Sequence, residues 1–214
     1  MVEVKICGLS EPETLGAALD AGADYVGFMF YEPSPRNIDF ATARALSRQV
    51  GSRAKKVAVM VDADDEKITQ IMQSIEPDYI QAHGSETPDR IKALNEMTGV
   101  PIIKAIKVRD ANDIASAEQY ANAAALVLFD AKAPETLENA LPGGNGITFD
   151  WGLMGGETKR PRFMLSGGLH KDNLREAIGI TKAPIIDVSS AVESSPGVKD
   201  IKLIRAFMDA ARQA

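Results

Sequence analysis

Residues Val2–Phe30, VEVKICGLSEPETLGAALDAGADYVGFMF, read as strand, helix, strand. Val2–Ile6 and Tyr25–Phe30 are short apolar runs flanked by glycine and polar residues, the pattern of buried strands. Between them Leu15, Ala18, Leu19 and Gly22 fall at i, i+3, i+4 and i+7, which is one face of a helix. Ser10 with Glu13 predicts a capping box at its start. The same unit recurs along the chain. Strand-like runs follow at Val57–Val61, Tyr79–Gln81, Ile102–Ile106, Ala125–Phe129, Arg162–Leu165 and Pro184–Val188. Helical spacing returns in Ile68, Ile71, Met72 and Ile75, and in Ile91, Leu94 and Met97 after Thr87-Pro88, an N-cap with proline at the first helical position. It returns again in Ile114, Ala117 and Ala121, in Leu174, Ala177 and Ile178, and in Ile201, Ile204, Phe207, Met208 and Ala211.

Strand and helix in alternation build a parallel sheet. Eight strand-like runs predict that the sheet closes, as a (β/α)₈ TIM barrel. The 214 residues allow about 27 per unit, which makes the barrel a compact one. Asp130–Arg160, rich in Gly and Pro and without helical period, interrupts the rhythm. No composition shift or linker divides the chain, so residues 1–214 are expected to form one domain.

Composition narrows the function. Hydrophobic residues at 45% and charged residues at 25% are ordinary globular values. A net charge of −6 argues against nucleic acid as a partner, because phosphate neutralisation needs a basic face. One cysteine, Cys7, excludes an internal disulfide and a Cys-rich zinc site, and two histidines, His83 and His170, make a His-rich metal site a poor fit. The first residues carry no secretory signal. The longest apolar run, Ala123–Phe129, is far short of a membrane span. A cytoplasmic protein that engages neither membrane nor nucleic acid is expected.

In barrels of this class the site lies at the C-terminal ends of the strands. Gly167-Gly168 after the seventh run and Ser189-Ser190 after the eighth stand where such barrels frequently bind phosphate. Glycines let backbone N–H groups approach an anion, and the serines add hydroxyl donors. A plain Gly-Gly turn is the bland alternative, and two such elements on neighbouring strands outweigh it. Cys7 ends the first run. A lone strand cysteine is most often a small buried hydrophobe, but its place next to Gly8 moves it toward the site. Alternation puts Lys5 on the same face one layer below, where an ammonium favours the reactive thiolate. Asp130 either caps a turn or serves as a proton donor, since partial desolvation at the mouth favours the protonated carboxyl. Arg36, between Pro35 and Asn37, is either a surface charge or a fork for a carboxylate or phosphate. His83 reads first as a hydrogen-bonded wall of the pocket.

Together these residues form a pattern. The chain resembles the phosphoribosylanthranilate isomerases of tryptophan biosynthesis. The resemblance rests on Lys5-Ile6-Cys7-Gly8-Leu9, on Phe30-Tyr31 with Ser34-Pro35-Arg36, and on Gln81 with His83-Gly84. It continues through Asp130 with Gly143-Gly144-Asn145-Gly146 and Phe149-Asp150-Trp151, then Gly167-Gly168-Leu169. It closes on Asp187-Val188-Ser189-Ser190-Ala191-Val192-Glu193 with Pro196-Gly197-Lys199-Asp200. Ala82, Asn145 and Ala191 depart from the residues usual there (leucine, threonine and glycine), and the methyl of Ala191 is the one expected to narrow the phosphate loop.

The resemblance implies an intramolecular Amadori rearrangement of N-(5-phosphoribosyl)anthranilate to 1-(2-carboxyphenylamino)-1-deoxyribulose 5-phosphate, an aldose–ketose isomerisation. It implies Asp130 as the general acid that opens the furanose ring and Cys7 as the general base at C2. It further implies Arg36 for the anthranilate carboxylate and His83 in the substrate pocket. The resemblance likewise implies that Gly167, Gly168, Ser189 and Ser190 hold the phosphosugar's phosphate. Proton transfer of this kind needs no cofactor and no metal. The assembly expected is a monomer or homodimer. The nearest alternative is another phosphosugar isomerase of the same barrel class. The histidine-pathway enzyme, for one, is expected to carry aspartate where Cys7 stands. A non-catalytic phosphosugar-binding protein is expected to lack Cys7 or Asp130.

Overall fold

A computed structural model describes residues 2–133, 143–155 and 162–214. Eight parallel strands run in sequence order around a closed barrel: β1 (Glu3–Cys7), β2 (Tyr25–Met29), β3 (Lys55–Met60), β4 (Tyr79–Ala82), β5 (Ile102–Val108), β6 (Leu126–Ala131), β7 (Phe163–Leu165) and β8 (Ile185–Val188). Closure comes from β8 pairing with β1, with Lys5 opposite Asp187. The predicted eight-stranded barrel is the observed one. Helices α1 (Pro12–Asp20), α2 (Phe40–Val50), α3 (Asp65–Ile75), α4 (Pro88–Thr98), α5 (Ala111–Ala115), α6 (Leu174–Thr181) and α7 (Ile201–Gln213) surround it. Among the described residues the β6–β7 connection holds only a 3₁₀ turn, Trp151–Met154, in keeping with the interrupted rhythm. Part of that stretch lies outside the described residues.

Local chemistry sets the helix starts. Thr87 caps α4 as expected, accepting from Arg90 N at 3.3 Å, with Pro88 next in the first turn. The predicted Ser10–Glu13 capping box does not form. Pro12, with its fixed φ, starts α1 one residue later, so Glu11 takes the N-cap position without a side-chain bond. Gly22 does not extend that helix; it follows the end of α1 at φ +80 and turns the chain toward β2. The Ile114–Ala121 period is a single α turn, capped by Asp110 and Asp113, that tightens into a 3₁₀ segment at Ser116–Tyr120.

Strand alternation sorts the core into two layers. Val4, Ile6, Val26, Phe28, Val127, Phe129, Ile186 and Val188 face the helices and pack with residues such as Ile204, Phe207 and Met208 of α7. Each large apolar side chain so buried contributes about 1.5–3 kcal/mol. Tyr25, Val57, Val59, Ile103, Leu126, Leu128, Met164 and Ile185 fill the barrel interior. The interior parity ends at the top in Cys7, Gln81, Asp130 and Asp187, and this is what aims polar side chains at the mouth. After β8 a 3₁₀ turn (Ser190–Val192) leads into an antiparallel hairpin, β9 (Glu193–Ser195) and β10 (Val198–Lys199). Its Pro196-Gly197 turn abuts Pro35, where a Cβ on Gly197 would fall 2.4 Å from the Pro35 carbonyl oxygen. None of the described helices is long and apolar enough to cross a membrane.

Candidate active site

Cys7 closes β1 with its side chain inward and only 5% exposed. Gly27 lies opposite it on β2, and a Cβ there would meet the thiol sulfur at 2.9 Å and Lys5 Nζ at 3.3 Å. The absent side chain is the space that sulfur and ammonium share. Lys5 is fully buried and pairs with Asp187, Nζ to Oδ1 2.7 Å, while Ser166 Oγ donates to the other oxygen at 3.0 Å. The ammonium is therefore beside Cys7, as alternation predicts, but its effect is not the net result. Burial raises the Cys7 thiol above its ordinary value; Lys5 opposes this and Asp187 adds to it. Lys5 thus favours the thiolate, as expected, while desolvation of the charged form outweighs it.

Asp130 lies within β6 rather than after it, paired in register with Lys107 and 4% exposed. Its Oδ1 accepts from Ala131 N at 3.0 Å, and Oδ2 stands 3.3 Å from His83 Nε2. His83 Nδ1 in turn is 2.9 Å from Gln81 Nε2. With the amide nitrogen as donor, Nδ1 accepts and the ring proton sits on Nε2, facing the carboxyl. Gly143 covers this pair: a Cβ there would lie 2.6 Å from His83 Nε2 and 2.7 Å from Asp130 Oδ2.

Arg36 is buried, not a surface charge. Its Nε and Nη2 reach the two oxygens of Glu193 at 2.7 and 2.9 Å, and Nη2 also donates to Gly144 O at 3.2 Å. Gly8, at φ +77, leaves room for the arginine stem; a Cβ there would be 2.8 Å from Arg36 Cδ. Glu193 also takes a 2.6 Å bond from Lys199 Nζ. Burial would raise the Glu193 carboxyl, yet Arg36 and Lys199 together hold it below its ordinary value.

Gly167 and Gly168 follow β7 with φ +86 and +62, a backbone that L side chains rarely adopt. Gly168 tucks under the 143–148 segment, with Thr148 Cγ2 2.5 Å from where its Cβ would be. Ser189 is tied to the end of the first strand. Its hydroxyl donates to the Cys7 carbonyl at 3.1 Å and accepts from Lys199 Nζ at 3.1 Å, so it fixes the strand end that carries Cys7. Ala191 has no left-handed backbone, and its methyl sits in the 3₁₀ turn without strain.

The barrel mouth brings all the expected residues to one pocket: Cys7, Arg36, His83, Asp130, Gly167, Gly168, Ser189 and Ser190. Gln81 and Gly143 also line it, Glu193 and Gly27 pack against its residues Arg36 and Cys7, and none of the four was given a site role from sequence, although all but Gly27 stand in quoted motifs. Strand parity is the signal that places Gln81 in line with His83. Nothing in the local sequence signals the pairing of Glu193 with Arg36.

Residues 4–210 match the family described as N-(5'phosphoribosyl)anthranilate (PRA) isomerase. The chain belongs to that family. An N-(5'-phosphoribosyl)anthranilate isomerase from Rhodopseudomonas palustris (strain HaA2) is 49% identical over 211 residues, covering 99% of this chain and 96% of its own length. The crystal structure of phosphoribosyl anthranilate isomerase from Thermotoga maritima superposes with TM-score 0.89 at 35% identity, covering 100% of both chains. A phosphoribosyl anthranilate isomerase solved in complex with reduced 1-(o-carboxyphenylamino)-1-deoxyribulose 5-phosphate gives TM-score 0.84 at 32% identity, again over 100% of both. The family resemblance read from the separated motifs thus extends over the whole chain.

Proposed function

We propose that Asp130 and Cys7 carry the family's reaction in this chain as general acid and general base. The activity is the isomerisation of N-(5'-phosphoribosyl)anthranilate, an intramolecular rearrangement to 1-(2-carboxyphenylamino)-1-deoxyribulose 5-phosphate. Asp130 gives its proton to the furanose ring oxygen as the bond from that oxygen to C1 breaks, leaving a Schiff base. The Cys7 thiolate removes the C2 proton, and the electron pair moves into the C1–C2 bond to form an enolamine. Protonation at C1 and loss of the enol proton then give the ketone. The two side chains need only hold and move protons, for which groups positioned within hydrogen-bond reach typically supply 10²–10⁴-fold each.

One observation supports this reading above others: Cys7 and Asp130 face a single pocket from β1 and β6, with the candidate anchors between and beside them. Arg36, its plane held by Glu193, presents the fork that suits the anthranilate carboxylate. The Gly167-Gly168 backbone and the Ser189-Ser190 loop suit the phosphate at the other end. β2 and β8 flank β1, so the substrate stretches across Cys7 with its sugar carbons over the base. His83 Nε2 stands beside the Asp130 carboxyl at 3.3 Å. On this reading residues 1–214 act as one barrel domain, as monomer or homodimer. The test is the decay of phosphoribosylanthranilate fluorescence with the purified chain, coupled to the enzyme that consumes the product. Decay that depends on enzyme concentration supports the activity; none at micromolar enzyme would overturn it.

A further inference from the structure

We propose that Lys5 is the positioning residue for Cys7: its buried ammonium sets how readily Cys7 becomes a thiolate, and Asp187 is the counterweight that limits the effect. The inference rests on the reading of Cys7 as the base. Lys5 is among the largest side chains of the described residues that have no solvent exposure at all. A cation in that position is costly, because several hydrogen bonds to water are given up, and an aliphatic residue would fill a barrel interior at less cost. Fold stability alone therefore does not explain it.

The geometry does. Strand pairing sets Lys5 beside Asp187, and strand alternation turns it to the same side as Cys7. Both oxygens of Asp187 are occupied, one by Lys5 Nζ at 2.7 Å and one by Ser166 Oγ at 3.0 Å. The thiol sulfur and the ammonium lie 2.9 and 3.3 Å from one point above Gly27, so they are within roughly 6 Å of each other. Other charges that face Cys7 are Lys199 from β10 and Arg36 from the loop after β2, and Asp130 from β6 lines the same pocket. Arg36 and Lys199 share Glu193 as counter-ion. Lys5 is the cation that most opposes the effect of burial on the thiol, and Asp187 the anion that reinforces it. Ionisation of Cys7 gives Lys5 a second anion; without the ammonium, burial and Asp187 act on the thiol together.

The single cysteine makes the test direct, because thiolate absorbance and alkylation by iodoacetamide in the full chain report on Cys7 alone. Two variants separate the charges. In Asp187→Asn the ammonium acts unopposed, and the pH midpoint of alkylation should fall. In the double variant Lys5→Met/Asp187→Asn no buried carboxylate is stranded, and the midpoint should rise above that of Asp187→Asn by about 1–3 pH units, the range for losing a cation at this distance. The alkaline rise of kcat with pH should move in the same two directions. A merely structural role for Lys5 would not shift the midpoint in opposite senses. An unchanged or raised midpoint in Asp187→Asn overturns the proposal, and that variant decides alone if the double does not fold. Activity surviving in Cys7→Ser would instead remove Cys7 as the base, while the alkylation midpoints still report on Lys5.

Discussion

Arg36 and Glu193, 157 residues apart, meet in a two-point contact in the wall of the pocket, Nε to Oε1 at 2.7 Å and Nη2 to Oε2 at 2.9 Å. The contact fixes the plane of the guanidinium before any ligand arrives, which lowers the ordering cost of binding a planar carboxylate. Arg36→Met should therefore raise KM for phosphoribosylanthranilate at least tenfold, while inhibition by inorganic phosphate stays as in the unmodified chain. Loss of phosphate inhibition in that variant would move Arg36 to the phosphate end and reverse the substrate's orientation.

Glu193 should also mark the acid limit of stability. Its folded value is depressed below the ordinary carboxyl value of 4.5, so its contribution is complete above that pH and is lost as pH falls through the folded value. Melting temperature should drop on acidification below about pH 4.5. In Glu193→Gln the melting temperature at pH 7 should already be lower, because Arg36 and Lys199 lose their anion, and the acid decline should be shallower. Equal acid slopes for the two proteins would show that other carboxylates dominate.

Cys7→Ser should fold normally and lose several orders of magnitude in kcat, because a hydroxyl is a far poorer base than a thiol. Iodoacetamide should inactivate the unmodified chain, slowly at neutral pH because burial raises the thiol. A product analogue should protect it. Full activity in the serine variant would exclude Cys7 from the mechanism.

Asp130→Asn keeps the shape of the side chain and removes its transferable proton. Turnover should fall by about 10²–10⁴-fold with KM little changed. A raised KM with turnover preserved would assign Asp130 to binding.

Gly168→Val should act at the phosphate end. The backbone at φ +62 disfavours a side chain, and the added Cβ would fall 2.8 Å from Thr148 N. Inhibition by inorganic phosphate should weaken by tenfold or more, and the affinity for an anthranilate lacking the phosphosugar should hold. Intact phosphate inhibition would place the anion elsewhere on the barrel mouth.

Much of this was legible in the sequence. The alternation of apolar runs with helical periods determined the barrel, since period is a local property that any stretch such as Val2–Phe30 displays by itself. It also determined which residues end the strands, and hence that Cys7, Asp130, Gly167, Gly168, Ser189 and Ser190 would gather at one mouth. Turn chemistry did less well: proline at position 12 displaced the capping box that Ser10 and Glu13 suggested. What only the tertiary structure decided is who touches whom across the barrel. Ser189 spends its hydroxyl on the Cys7 carbonyl, Glu193 holds Arg36, and Asp187 shares Lys5 with Cys7. These contacts join residues up to 182 positions apart, and they form because closure brings β8 against β1. Their balance also bears on how readily Cys7 ionises. A lysine two residues away favours the thiolate; burial and a carboxylate from the far end of the chain oppose it and raise the thiol, because desolvation and Coulomb interaction depend on three-dimensional distance, which sequence neighbours do not report.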